Sequence, residues 1–86
     1  MGKPRPYNGH HCRNCWSIAL WIGNDEPLYR AAMQCVRRPR LDGKPVTATL
    51  AALRFDKEVL PFGTKTPDGT VYTFKAVRSA LAGLME

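Results

Sequence analysis

The chain has 86 residues, of which 44% are hydrophobic and 23% are charged, and its formal net charge at pH 7 is +6. A chain of this length and composition folds as one globular domain with a small core, which excludes general disorder and leaves little room for a deep enzyme pocket. We therefore expect a single domain over residues 1–86.

The positive charge is concentrated in the first half of the chain. Residues 1–44 hold eight Lys and Arg against three Asp and Glu, a balance of +5, and the rest holds five against four, a balance of +1. The cluster "RRPR" at residues 37–40 follows a predicted helix, where cations stabilise the negative end of the helix dipole. The same cations can form a patch for nucleic acid or an acidic protein surface. The predicted binding patch is Arg30, Arg37, Arg38, Arg40 and Lys44.

Neither a membrane span nor a secretory signal is recognisable. The longest apolar run, "WSIALWI", covers seven residues, whereas crossing a bilayer takes about 20. The opening "MGKPRPYNG" has charge but no apolar run after it, and the three cysteines are an odd number. These features favour a cytoplasmic protein with free thiols and no membrane partner.

Four helices are predicted, at about residues 14–23, 25–37, 47–60 and 73–85, after an extended arm over residues 1–9. In the first helix Asn14 is the expected N-cap and Gly23 the expected end. Its apolar residues surround it almost completely, so we expect this helix to be central. Trp16 and Trp21 should then be the positions most vulnerable to substitution.

The second helix has the clearest periodicity. Asn24 or Asp25 can cap it, and Pro27 lies in the first turn, where its missing N–H is not needed. Pro39 should end it. Its apolar residues follow at helical spacing, namely Leu28, Ala31, Ala32, Cys35 and Val36.

The third helix is predicted to begin at Thr47 or Thr49 and to end before Pro61, and the fourth to begin at Thr73. A turn at "PDG" lies between them. The alternative interpretation makes "LRFDKEVL" a strand and the protein α+β, with a short hairpin within residues 53–74. The favoured fold class is all-α, a small single-domain bundle of about four short helices.

The stretch "HHCRNCW" raises the question of a metal site. Zinc takes four N or S ligands, and the CxxC could supply two of them, with a further Cys and a His completing the set. A second closely spaced pair is missing, and Cys35 lies on the apolar stripe of the second helix, where a thiol behaves as a small hydrophobe. We expect no cofactor; the alternative is zinc bound by residues among Cys12, Cys15, Cys35, His10 and His11.

No catalytic constellation is recognisable, so we expect a protein that is not an enzyme. Asn24, Asp25 and Glu26 could serve metal binding or acid–base chemistry, but helix capping requires such side chains at a helix junction. We interpret them as structural. Trp16 and Tyr29, like Trp21, are interpreted as core residues rather than as parts of a ligand site.

The stretch "YNGHHCRNCWSIALWIGNDEPLYRAAM" resembles a family of small, mostly uncharacterised proteins from bacteriophages, plasmids and bacteria. The family signature reads roughly NG, six variable residues, and then WNVALWIxNDExLY. Ser17 and Ile18 are departures or near matches, and "TPDGTVYTFKAVRSALAGL" is similar to the ends of some phage members. The matching residues are Asn8, Gly9, Trp16, Ala19, Leu20, Trp21, Ile22, Asn24, Asp25, Glu26, Leu28 and Tyr29.

The resemblance implies a compact, largely helical protein, encoded by a phage or another mobile element and located in the cytoplasm of the host cell, with no established reaction. Small phage proteins often disable host machinery by binding it, and anti-CRISPR proteins are the best-known group. By this analogy, the hypothesis is a non-enzymatic protein that inhibits or modulates a host protein or nucleoprotein complex. The alternative is a small basic nucleic-acid-binding protein, with or without a zinc staple.

Overall fold

The structure is a computed structural model that describes residues 13–85, and these residues form four helices. The helices are α1 (Arg13–Asn24), α2 (Glu26–Arg37), α3 (Ala48–Glu58) and α4 (Phe74–Met85). The predicted all-α class is therefore confirmed. The predicted extended arm at residues 1–9 lies outside the described residues. Among residues 13–85, no helix has the length and apolar content that crossing a bilayer requires.

A single residue, Asp25, separates α1 from α2. Its backbone is extended, and its carboxylate accepts a hydrogen bond from the Leu28 N–H at 3.0 Å, so Asp25 is the N-cap of α2. The Asp25 N–H also donates to the Trp21 carbonyl at 3.2 Å, and the Asp25 carbonyl accepts from Tyr29 at 2.8 Å. The expected end of α1 at Gly23 is one residue too early, because the helix continues to Asn24.

Arg54 of α3 binds the C-terminal end of α2. Its guanidinium donates to the carbonyl oxygens of Cys35 at 3.0 Å, Arg38 at 2.6 Å and Pro39 at 3.4 Å. A helix end leaves such carbonyls without intrahelical partners. The last turn of α2 is therefore held against α3.

The ends of α3 are defined by local hydrogen bonds. The Thr47 hydroxyl accepts from the Leu50 N–H at 3.1 Å, which makes Thr47 the N-cap. At the other end the Leu60 N–H donates to the Phe55 carbonyl at 3.0 Å, and the Asp56 carboxylate accepts from the Phe62 N–H at 2.7 Å. These bonds close the helix two residues before its predicted end.

The segment between α3 and α4 contains a turn but no strand. A single antiparallel bridge joins Lys65 and Val71, and Gly69 occupies the turn with φ of 90°, a conformation open to glycine. Most of "LRFDKEVL" lies within α3. The α+β alternative is therefore wrong, because helical hydrogen bonding takes up the residues that its first strand would need.

The core is formed by one stripe from each helix. Its largest fully buried side chains are Phe55, Ile18, Ile22, Leu81, Val77 and Cys15. Phe55 stacks on Tyr72, with ring centroids 6.1 Å apart.

The expectation that α1 is buried all round is wrong. Trp16 and Trp21 are only half-buried, and Leu20 is 41% exposed. Cys15, Ile18 and Ile22 form the stripe that α1 buries, and the opposite side of the helix stays at the surface. Asn14, the expected N-cap of α1, lies inside the helix, and its side-chain amide donates to the Val71 carbonyl at 3.0 Å.

Candidate functional site

The predicted basic patch lies on α2 and on the loop after it, and most of its cations are paired with acids. Surface ion pairs of this kind contribute little to stability, and a competing anion can open them. The three pairs are Arg30 with Glu26, Arg38 with Glu58 and Arg40 with Asp42.

Arg38 and Glu58 form a two-pronged contact between α2 and α3. Nη1 and Nη2 of Arg38 donate to the two carboxylate oxygens of Glu58 at 2.7 and 2.5 Å. This hydrogen bonding lowers the pKa of Glu58 and raises the pKa of Arg38. Both groups therefore stay charged over the physiological pH range.

Arg37 and Lys44 remain without a side-chain partner among residues 13–85. Both are exposed, and neither side chain forms an ion pair or a hydrogen bond in that part of the chain. Their charges are therefore the part of the predicted patch that is directly available to a ligand.

One face of α2 combines exposed arginines and the exposed ring of Tyr29 with the thioether of Met33, which is partly buried and packs against the core. Its residues recur at helical spacing, opposite the buried stripe that includes Ala32 and Cys35. They line two adjoining depressions of about 350 and about 310 Å³. We call this surface the α2 face: Tyr29, Arg30, Met33, Gln34, Arg37 and Arg38.

Tyr29 belongs to this surface rather than to the core. Its side chain is 39% exposed, so the expectation of a core tyrosine is wrong. Met33 was not predicted as a surface residue of interest at all. The two residues lie four apart and are therefore neighbours on one side of the helix, and Met33 is partly buried against the core.

A second concave surface lies where α1, the α1–α2 junction and the loop before α4 meet. A cavity of about 450 Å³ has Trp21, Leu28, Leu60 and Tyr72 among its walls, with Asp25 at its border. A second cavity, of about 290 Å³, is also lined by Trp21, and its lining includes Trp16, Leu20, Asn24 and Asp68. We call the two cavities together the Trp21 groove.

Hydrogen bonds to Asp68 hold one wall of this groove. The Asp68 carboxylate accepts from the hydroxyl of Thr66 and, at 3.0 Å, from the hydroxyl of Thr70. These bonds, first of all the one from Thr66, together with one from the Trp21 side chain, lower the pKa of Asp68. The Ser17 and Thr70 hydroxyls lie 3.1 Å apart, which joins the loop to α1.

Within residues 13–85, the residues that carry the predicted family resemblance lie mainly at these two surfaces. Asp25 has the predicted structural role as N-cap, yet its side chain also borders the Trp21 groove. Asn24 lines the groove, and Glu26 pairs with Arg30 beside the α2 face. Asn8 and Gly9 lie outside the described residues. Trp16 and Trp21 line the Trp21 groove. The apolar pattern of α1 alone did not predict this position.

Cys15 and Cys35, two of the proposed zinc ligands, lie in the core. Cys15 is 0% and Cys35 4% exposed. Burial, and next the charge of Glu58, raise the pKa of the Cys35 thiol, which opposes the thiolate form that zinc requires. His10, His11 and Cys12 lie outside the described residues, and within 13–85 no three His, Cys, Asp or Glu side chains are grouped to hold a metal ion.

Comparison with known proteins gives one match. No curated protein and no solved structure matches the chain. A family model matches residues 3–86, which is nearly the whole chain, and this agrees with the resemblance to a family without an established reaction. The chain belongs to the family of unknown function described as DUF7249.

Proposed function

We propose that the protein is a non-enzymatic binding protein, encoded by a phage or mobile element, that inhibits or modulates a protein or nucleoprotein complex in the cytoplasm of its host. The observation that carries this proposal is the α2 face, where Tyr29 and Met33 lie among arginines. Tyr, Met and Arg are enriched in protein–protein interfaces relative to the rest of the surface.

The charges of the α2 face and of the loop after α2 favour an acidic partner. Arg37 and Lys44 are exposed and unpaired within residues 13–85, so they can meet carboxylates or phosphates at little cost in broken contacts. Arginine binds such groups in a planar, two-pronged geometry. Positive charge also speeds the encounter with an acidic surface.

Counter-defence is the form of this function that the resemblance to phage proteins supports. An inhibitor of this anti-CRISPR-like kind needs a rigid surface and a target, and it needs no catalytic group. The C-terminal end of the α2 face is anchored to α3, because Arg54 binds the end of the helix. Rigid surfaces bind with a smaller loss of conformational entropy.

The test is capture of partners from a bacterial host lysate by the full chain, followed by quantitative mass spectrometry. One variant, Arg37→Glu with Lys44→Glu, reverses the unpaired charges at the end of α2 and in the loop after it. A second, Lys57→Glu with Lys75→Glu, makes the same change in net charge at exposed positions on α3 and α4. We expect the first to lose a partner that the wild type and the second retain. A partner retained equally by both variants would exclude this surface, and circular dichroism should show equal helix content.

Direct nucleic-acid binding is the second candidate, because the same unpaired cations can contact phosphates. The affinity for duplex DNA should then fall with salt, with a log–log slope of about −0.9 for each phosphate contacted. Two contacts, by Arg37 and Lys44, predict a slope of about −1.8. Fluorescence anisotropy with a labelled duplex measures it, and a flat salt response would exclude this candidate.

A further inference from the structure

We propose that the Trp21 groove binds an extended segment of a partner protein, which pairs through its backbone with Lys65 and inserts an apolar side chain that is followed or preceded by a basic residue. This site is separate from the α2 face. The inference does not depend on the function proposed for that face.

The backbone of Lys65 presents an open edge. Lys65 faces Val71 in the single bridge, which is flanked by hydrogen bonds from Tyr72 to Thr64 at 2.8 Å and from Thr66 to Thr70 at 2.7 Å. In this pattern the N–H and C=O of the middle residue point away from the opposite segment. Neither group of Lys65 forms a hydrogen bond within residues 13–85. Such an edge is a template for an added strand.

The same residues border the larger cavity of the groove. Thr64, Lys65 and Thr66 line it in succession, together with Trp21 and Leu28. A strand paired with this edge would place alternate side chains toward the cavity. At about 450 Å³ the cavity can accept one large apolar side chain and part of a neighbour. The groove therefore offers both elements of strand addition, namely backbone partners and a specificity pocket.

The charge around the groove favours a basic residue next to the apolar residue of the bound segment. Asp25 borders the larger cavity and Asp68 the smaller, and Lys65 is the one cation among the groove residues within 13–85. Burial first, and then the charges of these two carboxylates, raise the pKa of the hydroxyl of the buried Tyr72, which also lines the larger cavity. The chain as a whole has a net charge of +6, so this groove differs in sign from its surroundings. A lysine or arginine in the bound segment would lie beside these acids.

The probe is a displayed library of random eight-residue peptides, selected on the full chain and followed by synthesis of the enriched sequences. Two variants separate the contribution of the Lys65 side chain from that of its backbone N–H. Lys65→Ala removes the charged side chain and keeps the N–H, whereas Lys65→Pro also removes the N–H, which forms no hydrogen bond in the fold. Proline is accepted on an edge, so both variants should have the circular dichroism of the wild type.

We expect enriched peptides to contain an apolar residue beside Lys or Arg. They should bind Lys65→Pro about fivefold more weakly than Lys65→Ala, as the loss of the one backbone hydrogen bond donated by the Lys65 N–H implies. Methylation of the peptide nitrogen that pairs with Lys65 should lower the affinity for the wild-type protein by a similar factor. Amide NMR shifts should map to Lys65 and Thr66. The double variant Arg37→Glu, Lys44→Glu should bind these peptides normally, so failure here is distinguishable from failure of the α2 face.

Three results would overturn the proposal. One is a selection that enriches no peptide sensitive to Lys65→Pro. Another is equal affinity of the protein for the parent peptide and the methylated peptide, because binding would then depend on side-chain contacts and not on backbone pairing. The third is self-association abolished by Lys65→Pro, seen in sedimentation, which would assign the edge to a second copy of the chain.

Discussion

The guanidinium of Arg54, in α3, donates a hydrogen bond of 2.6 Å to the main-chain carbonyl of Arg38, directly after the last residue of α2. The neighbouring contact to the Cys35 carbonyl lies within the last turn of the helix. A cation at this place satisfies free carbonyls and lies favourably in the helix dipole. The end of α2 that carries Arg37 is thus positioned by a residue of another helix.

Replacing Arg54 by Met should lower the free energy of unfolding by about 2 kcal/mol, because hydrogen bonds from a charged donor to carbonyls in the last turn of α2 and directly after it are lost. Arg78→Met is the matched control, since Arg78 makes one hydrogen bond, to the Thr49 hydroxyl at 3.1 Å. Its loss should cost about 1 kcal/mol or less. Urea unfolding followed by circular dichroism measures both. Equal losses would contradict the capping role of Arg54.

Phe55, and not the tryptophans, should be the most sensitive aromatic position. Phe55 is fully buried and packs on Tyr72, so Phe55→Ala should cost about 3–5 kcal/mol. Trp16→Ala should cost less, because Trp16 is only half-buried. The comparison is made by thermal and urea unfolding. A larger loss of unfolding free energy for Trp16→Ala than for Phe55→Ala would show that the surface of α1 contributes more to stability than its burial implies.

The two adjacent polar residues of the α1–α2 junction should differ in their effect on stability. Asp25→Ala removes the N-cap of α2 and should cost about 1 kcal/mol. Asn24→Ala should change stability by less than about 0.5 kcal/mol, because the exposed Asn24 side chain forms no hydrogen bond to residues 13–85. Chemical denaturation of both variants decides the matter, and a reversed order would contradict the capping geometry.

Acid should weaken the fold through Asp68. Its pKa is lowered in the fold, chiefly by the hydrogen bond from Thr66, so its ionised form stabilises the folded state. That contribution is complete above the pKa of the unfolded chain, about 3.9, and is lost as the pH falls through the lower pKa of the folded state. The stability difference between wild type and Asp68→Asn should therefore close below pH about 4. Urea unfolding at several pH values tests this, and a constant difference down to acid pH would contradict it.

The helices were predictable because their signals are local. Asp25 and Thr47 cap the residues that immediately follow them, and a cap acts over one turn. The helix periods likewise depend only on near neighbours. The same reasoning misplaced the end of α3, where the Asp56 side chain reaches forward to Phe62 and closes the helix early.

The candidate sites were less predictable because they depend on contacts between distant segments. The charge of Arg38 is paired by Glu58 from another helix, so residue counting overstated the free charge of the patch. Asn14 has the composition of a cap, yet it binds the Val71 carbonyl near α4. An apolar helix such as α1 also gives no internal sign of which side its neighbours will cover, and so the exposure of Trp21 was not foreseen.

A corner of one residue, at Asp25, makes the chain intolerant of length changes there. Each residue added to a helix turns everything after it by about 100°. An insertion between Trp21 and Tyr29 would therefore swing the arginines of α2 around the helix axis, away from their present direction relative to the groove. An insertion in the loop between α2 and α3 would leave both directions intact. The corner thus fixes the rotation of α2 relative to α1. Natural relatives should vary in length at the loop between α2 and α3 and keep the length of the corner constant.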